Sequence, residues 1–158
     1  MLPRKKLTKE QALQKLRHYC RYQERCHSEV KNKLFELGIR KSDYDELISE
    51  LIEESYLDEE RFALAFTRGK FKMNHWGRKK IQYCLKEKMV NDVSIQKALG
   101  QINEKDYRHT LKKLAKEKYA SLKNEPWMFR KKKTMDYLMQ KGYEMELVKG
   151  VMESMKEK

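Results

Sequence analysis

Residues that interrupt helices are scarce in this sequence. Among 158 residues there are only two prolines and six glycines, so long stretches can run as uninterrupted helix. Apolar runs are also short, and none approaches the ~18–20 residues that a membrane-spanning helix needs. The sequence therefore predicts a helical protein with no membrane partner.

Cysteine is scarce as well. The three cysteines are an odd number without a paired framework, which is typical of a reducing compartment. The first eleven residues, MLPRKKLTKEQ, are basic and lack the apolar core of a secretory signal. Together these features predict a cytoplasmic protein.

Motifs for catalysis and cofactor binding are missing. The four histidines are scattered, and there is no Gly-rich phosphate loop, Gly-x-Ser-x-Gly elbow or His-Glu-x-x-His. Cys20, Cys26 and His27 lie close together, but their spacing is not a Cys-x-x-Cys pair and no second pair follows. Cys20 and Cys84 are better interpreted as small core residues. The sequence predicts a protein that is not an enzyme and has neither metal nor cofactor.

Charge, by contrast, is abundant. Charged residues make up 39% of the chain, and the net charge is +13. Residues 66–88 hold eight basic residues against the single acid Glu87, whereas a uniformly solvated surface mixes its signs. The imbalance favours a polyanionic partner, either nucleic acid or a nucleoprotein. From charge alone, a basic solvated protein without such a partner is the alternative.

Apolar residues recur at helical spacing throughout the chain and predict nine helices. Thr8-x-x-Gln11 is a capping-box pattern for the first helix. Ser28 is expected to cap the second, Asp58 the fourth, and Asn91 or Asp92 the sixth. No stretch alternates as a strand would.

The nine helices fall into three groups of three. Shifts of 51 and then 53 residues keep seven positions in register without a gap, and Leu34, Leu85 and Leu138 form one such set. Gly38 and Gly142 are expected to end the second helix of the first and third groups. The predicted fold is all-α, an elongated tandem array of three three-helix, helix-turn-helix-like repeats. The repeats are assigned to residues 1–54, 55–103 and 104–158.

Two basic segments form the candidate binding surface. The first contains Arg68, Lys70, Lys72, Trp76, Arg78, Lys79 and Lys80. The second contains Arg130, Lys131, Lys132 and Lys133. The cations are expected to pair with phosphates and Trp76 to stack on a base or wedge beside one, although Trp76 suits a core position equally well. Because both segments occupy nearly the same place in their repeats, they predict a positive stripe along one face.

The residues around the first basic segment resemble those of a known family. Positions 53–63 read EESYLDEERFA, and Phe66, Arg68, GKF at 69–71 and WGRKKI at 76–81 follow. This pattern resembles the central signature of the RecX family, bacterial regulators of the RecA recombinase. Ser55 departs from it, since the family often has glycine there.

The resemblance implies a function as well as a fold. It implies tandem three-helix units that bind along the groove of the RecA–single-stranded DNA filament, and we expect a monomer. Such proteins usually inhibit strand exchange, ATP hydrolysis and co-protease activity by blocking or disassembling the filament. The resemblance assigns no catalytic residue. It nominates Tyr56, Asp58, Glu59 and Arg61 for protein contact and the cations of 68–80 for DNA or the filament.

Two other functions are compatible with the residues. One is a helical DNA-binding protein or transcription regulator that acts on duplex DNA without RecA, for which retention of one duplex sequence over others is the distinguishing property. The other is a purely structural helical scaffold, whose binding does not fall with salt.

Overall fold

Residues 6–156 fold as nine α-helices and one short 3₁₀ turn. The computed structural model describes residues 6–156, with side chains from 6 to 155. The helices are α1 (Lys9–Tyr22), α2 (His27–Glu36), α3 (Tyr44–Glu53), α4 (Glu59–Asn74), α5 (Arg78–Glu87), α6 (Asp92–Gly100), α7 (Glu104–Ser121), α8 (Trp127–Lys141) and α9 (Met145–Lys156). The 3₁₀ turn, Lys41–Asp43, precedes α3. Residues 1–5, on which part of the argument against a secretory signal rests, lie outside the described range.

Side-chain caps begin α1 and α6 where the sequence predicts them. The capping box of α1 is confirmed, since the Gln11 N–H donates to the Thr8 hydroxyl at 3.1 Å and the Thr8 N–H donates to the Gln11 side chain at 2.9 Å. Asn91 caps α6 by accepting from the Ser94 N–H at 2.9 Å. The prediction for α2 was wrong, because the helix begins one residue before Ser28 and its N-cap is Cys26.

A left-handed residue ends the second helix of each group of three. The φ angles are 75° at Gly38, 64° at Met89 and 101° at Gly142. These positions are 51 and 53 residues apart, which are the two shifts that align the apolar pattern. The backbone thus repeats with the register that the side chains predict, whereas the boundaries at 54/55 and 103/104 remain predictions.

The chain forms two compact units. The first comprises residues up to Ala65 together with Leu85–Ile95. Its core is aliphatic and joins α1, α2 and α3 with the turn before α4. The buried side chains of this core are Ala12, Leu13, Leu16, Cys20, Val30, Leu34, Tyr44, Leu47, Ile48, Leu51 and Leu57. Burial of this face stabilises the unit, because each large apolar side chain contributes ~1.5–3 kcal/mol when fully removed from water.

The second unit comprises Phe66–Cys84 and the residues from Gln96 onward. Its core differs in having a chain of aromatic contacts. The rings of Phe71 and Tyr107 lie 5.8 Å apart, and those of Tyr107 and Tyr143 lie 5.1 Å apart. Tyr107 and Tyr143 are fully buried. Their hydroxyl groups need partners inside the unit, and the partners of Tyr107 define the site described below.

Met89→Gly is expected to stabilise the protein by about 0.5–1 kcal/mol. Met89 has the left-handed conformation that costs a side-chain-bearing residue energy, and its side chain is 78% exposed, so it packs little. Urea denaturation measures the change. Met73→Gly is the matched control, because Met73 is 82% exposed inside α4. There glycine is expected to destabilise by about 1 kcal/mol. Equal effects of the two substitutions would contradict the prediction.

Candidate nucleic-acid interface

The aromatic and acidic residues that precede and begin α4 have partners within the first unit. The Tyr56 hydroxyl accepts a hydrogen bond from the Arg21 guanidinium at 2.6 Å, and that guanidinium lies 5.2 Å from the centroid of the Tyr56 ring. Asp58 caps α4 by accepting from the backbone N–H of Arg61 at 3.0 Å, as the sequence predicts. These contacts fix the start of α4 against α1.

Arg61 is also bound internally. Its Nε donates to Glu24 at 2.5 Å, and its Nη2 donates to the Ser55 carbonyl at 3.0 Å and the Tyr56 carbonyl at 3.4 Å. Ser55 has a φ of 64°, in the left-handed region that glycine occupies without steric cost. This conformation gives a physical reason for glycine at the corresponding position of the family signature.

Glu59 lies in a polar cluster that we call the first joint, made of His27, Glu59 and Asn91. Its carboxylate accepts from the backbone N–H of Asn91 at 3.0 Å and of His27 at 3.3 Å. The His27 Nδ1 lies 3.4 Å from the same carboxylate, whose side chain is only 10% exposed. Glu59 therefore connects the start of α2 with the turn before α6.

The second joint, made of Arg78, Glu104, Tyr107 and Glu144, lies in the second unit. The Arg78 guanidinium pairs with Glu144 at 2.7 Å and also with Glu104, and it stacks 3.8 Å from the centroid of the Tyr107 ring. The Tyr107 hydroxyl donates to Glu144 and accepts from the Arg78 backbone N–H at 3.0 Å. Burial, followed by the hydrogen bond to Glu144, raises the pKa of Tyr107 well above its ordinary value. Arg78 thus has internal partners for its charge, the face of its guanidinium and its backbone.

The two joints occupy equivalent places in the repeat. His27 and Arg78 are 51 residues apart, and Asn91 and Glu144 are 53 apart. In the first joint, Glu59 in α4 is bonded to the start of α2 and to the turn after α5. In the second joint, Arg78 at the start of α5 is bonded to α7 and to the turn after α8. Sequence reasoning missed the joints as units, although the shifts of 51 and 53 were the signal that pairs these positions.

Backbone packs directly on backbone beside the second joint. The Gly77 N–H donates to the Lys141 carbonyl at 2.7 Å, and the Lys79 N–H donates to the Gly142 carbonyl at 2.9 Å. A Cβ at Gly77 would lie 2.4 Å from the carbonyl carbon and oxygen of Gly142. In the first unit the equivalent contact uses a side chain, since the Ser28 hydroxyl donates to the Lys88 carbonyl at 2.6 Å. Glycine at 77 permits the closer approach.

Trp76 is half-buried, and its ring contacts two of the candidate lysines. The Lys70 Nζ lies 4.8 Å and the Lys80 Nζ 4.4 Å from its ring centroid, and the Phe66 ring meets it edge-on with centroids 6.4 Å apart. The Trp76 backbone N–H donates to the Lys70 carbonyl at 3.1 Å. Trp76 therefore combines core and surface roles, because its ring packs on Phe66 and also holds two ammonium groups by cation–π attraction.

A cation also packs on an aromatic ring in the connection between α1 and α2 and in that between α7 and α8. The Arg25 guanidinium lies 3.7 Å from the centroid of the Tyr19 ring and donates to the Tyr19 carbonyl at 3.0 Å. The Arg130 guanidinium lies 3.7 Å from the centroid of the Tyr119 ring and donates to the Tyr119 carbonyl at 2.7 Å. Arg130 thus stabilises the connection between α7 and α8 and is also a candidate cation.

Four of the candidate cations have neither an ion pair nor a cation–π contact among the contacts described for residues 6–155. These are Arg68, Lys72, Lys79 and Lys132, and all four are exposed. By contrast, Lys133 pairs with Glu125 at 2.9 Å, and the Lys131 Nζ lies 5.7 Å from the Trp127 ring centroid. Unpaired exposed cations are the groups best placed to release counterions from a polyanion. The positive stripe that would join the two segments stays a prediction.

Other classes of site are not represented in the described part of the chain. Between residues 6 and 155, no group of three His, Cys, Asp or Glu side chains is arranged to hold a metal ion. None of the described helices is both long and apolar enough to cross a membrane. Cys20 is buried, and burial raises its pKa to about 11. Its thiol therefore stays protonated at neutral pH, as expected of a core residue.

Solved structures share the fold. "Crystal structure of regulatory protein RecX" superposes with a TM-score of 0.84 at 22% identity and covers 90% of this chain and 72% of that one. "Crystal structure of RecX from Lactobacillus salivarius" gives a TM-score of 0.83 at 21% identity and covers 92% and 95%. The predicted all-helical fold of tandem three-helix repeats is confirmed.

Sequence comparisons agree with the structural ones. The model of the second three-helix domain of RecX matches residues 58–99, and that of the third matches 96–152. "Regulatory protein RecX" of Clostridium tetani is 32% identical over 126 residues, covering 78% of this chain and 57% of that protein. The protein of the same name from Oceanobacillus iheyensis is 28% identical over 138 residues, covering 87% and 51%. The chain spans about half the length of the curated relatives it matches. Because the two domain matches together cover more than half of the chain, it belongs to the RecX family of regulatory proteins.

Proposed function

We propose that this chain is a cytoplasmic regulator of RecA that binds the RecA–single-stranded DNA filament as a monomer. Its main effect is inhibition of recombinase, ATPase and co-protease activity, and it catalyses no reaction itself. The observation that carries the proposal is the match of residues 58–152 to two consecutive RecX domains. The net charge of +13 supports it, because a filament built on DNA is a polyanion.

The candidate residues divide into those that bind the filament and those that stabilise the fold. Arg68, Lys72, Lys79 and Lys132 are exposed and unpaired in the described chain, so they contact phosphates or acidic groups of the filament. Lys70 and Lys80 make further contacts of the same kind from their positions beside the Trp76 ring. The candidate residues with internal partners stabilise the fold that positions these cations. They are Tyr56, Asp58, Glu59, Arg61, Arg78 and Arg130. Lys133 pairs with Glu125 and Lys131 lies beside the Trp127 ring, so these two cations are less available for a partner.

RecA-catalysed ATP hydrolysis on single-stranded DNA tests the proposal. When the protein is titrated in well below the RecA concentration, hydrolysis is expected to fall, because few molecules that cap or disassemble a filament act on many RecA subunits. The control is a second titration with the DNA raised in excess. Inhibition that persists places the action on the filament, whereas restored hydrolysis means that the protein only sequesters DNA. No suppression at equal concentrations would sink the proposal and favour action on duplex DNA.

A further inference from the structure

A groove of about 450 Å³ lies on the first unit, beside the corner of α1 and α2. It is outside both basic segments and contains none of the candidate residues named so far. The side chains that give it its character are Lys15, His18, Tyr19, Tyr22, Arg25 and Lys33. No carboxylate is among its lining residues. Sites of ~300–1,000 Å³ hold ligands of drug size, so the groove is large enough for one nucleoside unit.

Two tyrosines in the groove differ in their surroundings. The Tyr19 ring is covered by the Arg25 guanidinium, 3.7 Å from its centroid, and the Lys33 Nζ lies 5.5 Å from the same centroid. Tyr22 is 79% exposed, and its ring centroid lies 5.9 Å from Arg25. Tyr22 therefore offers an open aromatic face next to a fixed cation.

The positive charge of the groove is incompletely balanced. Lys33 has one weak partner, Glu36, at 3.6 Å. Arg25 bonds to a backbone carbonyl, which leaves its charge uncompensated by a carboxylate in the contacts described. Lys15 is exposed. An open aromatic face amid unbalanced cations has the chemistry that stacks a base and pairs with its phosphates.

We infer that this groove binds single-stranded DNA, with a base stacked on Tyr22 and the adjoining phosphates held by Lys15, Arg25 and Lys33. A single strand fits better than a duplex, because the base faces of a duplex are already stacked on one another. The inference rests on the proposed function for the choice of DNA as the polyanion. It adds a contact in the first three-helix group, outside both candidate segments.

Fluorescence anisotropy with a labelled oligothymidylate and no RecA tests this site in the full chain. Tyr22→Ala is expected to lower affinity about tenfold, the usual effect of losing one stacked base. Tyr22→Phe keeps the ring and is expected to bind as the parent does. The matched control is Phe35→Ala, since Phe35 is an equally open aromatic, 73% exposed, that does not line the groove. It is expected to leave affinity unchanged.

Salt dependence separates stacking from charge in the same assay. Tyr22→Ala is expected to leave the slope of log affinity against log salt unchanged, whereas Lys15→Gln is expected to reduce it by about 0.7, the value for one single-strand phosphate contact. The inference is overturned if Tyr22→Ala binds oligothymidylate as tightly as the parent, or if Phe35→Ala loses as much. It is also overturned if Tyr22→Ala leaves oligothymidylate affinity unchanged but weakens inhibition in the separate RecA ATP-hydrolysis assay, since the occupant is then a protein. Because the assay omits RecA, its failure is separate from a failure to inhibit RecA ATP hydrolysis.

Discussion

Gly77→Ala is expected to destabilise the protein by about 3 kcal/mol. The added Cβ would lie 2.4 Å from two backbone atoms of Gly142 and 2.5 Å from the Tyr143 nitrogen. Backbone atoms cannot rotate away as the end of a side chain can, so the turn after α8 must move. That movement also strains the hydrogen bond from Gly77 to the Lys141 carbonyl and the neighbouring ion pair of Arg78 with Glu144.

Urea denaturation followed by far-UV circular dichroism measures this loss. Gly150→Ala is the matched control, because Gly150 lies inside α9 and a Cβ there meets nothing within 4 Å. It is expected to stabilise the protein by about 0.5–1 kcal/mol, the helix preference of alanine over glycine. If Gly77→Ala were as stable as the parent, the backbone contact between Gly77 and Gly142 would not exist in solution.

Local features of the fold could be predicted from the sequence because their causes are local. Thr8 and Gln11 sit three residues apart, and both hydrogen bonds of their box lie within one turn. The apolar positions of each helix are set by the 3.6-residue period. Even the register of the repeats was accessible, since it compares one stretch of sequence with another.

The joints could not be predicted in the same way. Arg78 and Glu144 are 66 residues apart, and the order of charges along a chain does not say which pairs meet. Arg78 therefore looked like another member of a basic run, and Glu59 like another member of an acidic one. The structure separates them from their neighbours, because each lies where a second helix meets the following group. Residues adjacent in sequence, such as Arg78 and Lys79, consequently have different partners.

The family signature itself is partly a consequence of these joints. Of the residues WGRKKI at 76–81, Gly77 and Arg78 support the contact with α7 and α8, and Ile81 is fully buried. Trp76, in the connection between α4 and α5, contacts Lys80, and Lys79 is exposed. A signature of this kind identifies the fold more directly than the binding surface. Binding therefore has to be tested on the exposed members alone.

The triple substitution Arg68→Glu, Lys72→Glu and Lys79→Glu is expected to weaken single-stranded DNA binding about a hundredfold at ~0.1 M salt. Each lost phosphate contact lowers the salt slope by about 0.7, so three lower it by about 2. Inhibition of RecA ATP hydrolysis is expected to fall with it. The helical circular dichroism signal is expected to stay, because none of the three side chains has an ion pair in the described chain and Arg78 is untouched.

A matched triple substitution separates the place of these charges from their number. Lys31→Glu, Arg40→Glu and Lys41→Glu change the net charge by the same amount at exposed positions outside both basic segments. If the candidate surface binds the filament, this control keeps most of its DNA affinity and its inhibition. Equal losses in the two variants would mean that only net charge matters, and residues 68–80 would then have no special role. Loss of inhibition with DNA affinity intact would instead assign the three cations to contact with RecA.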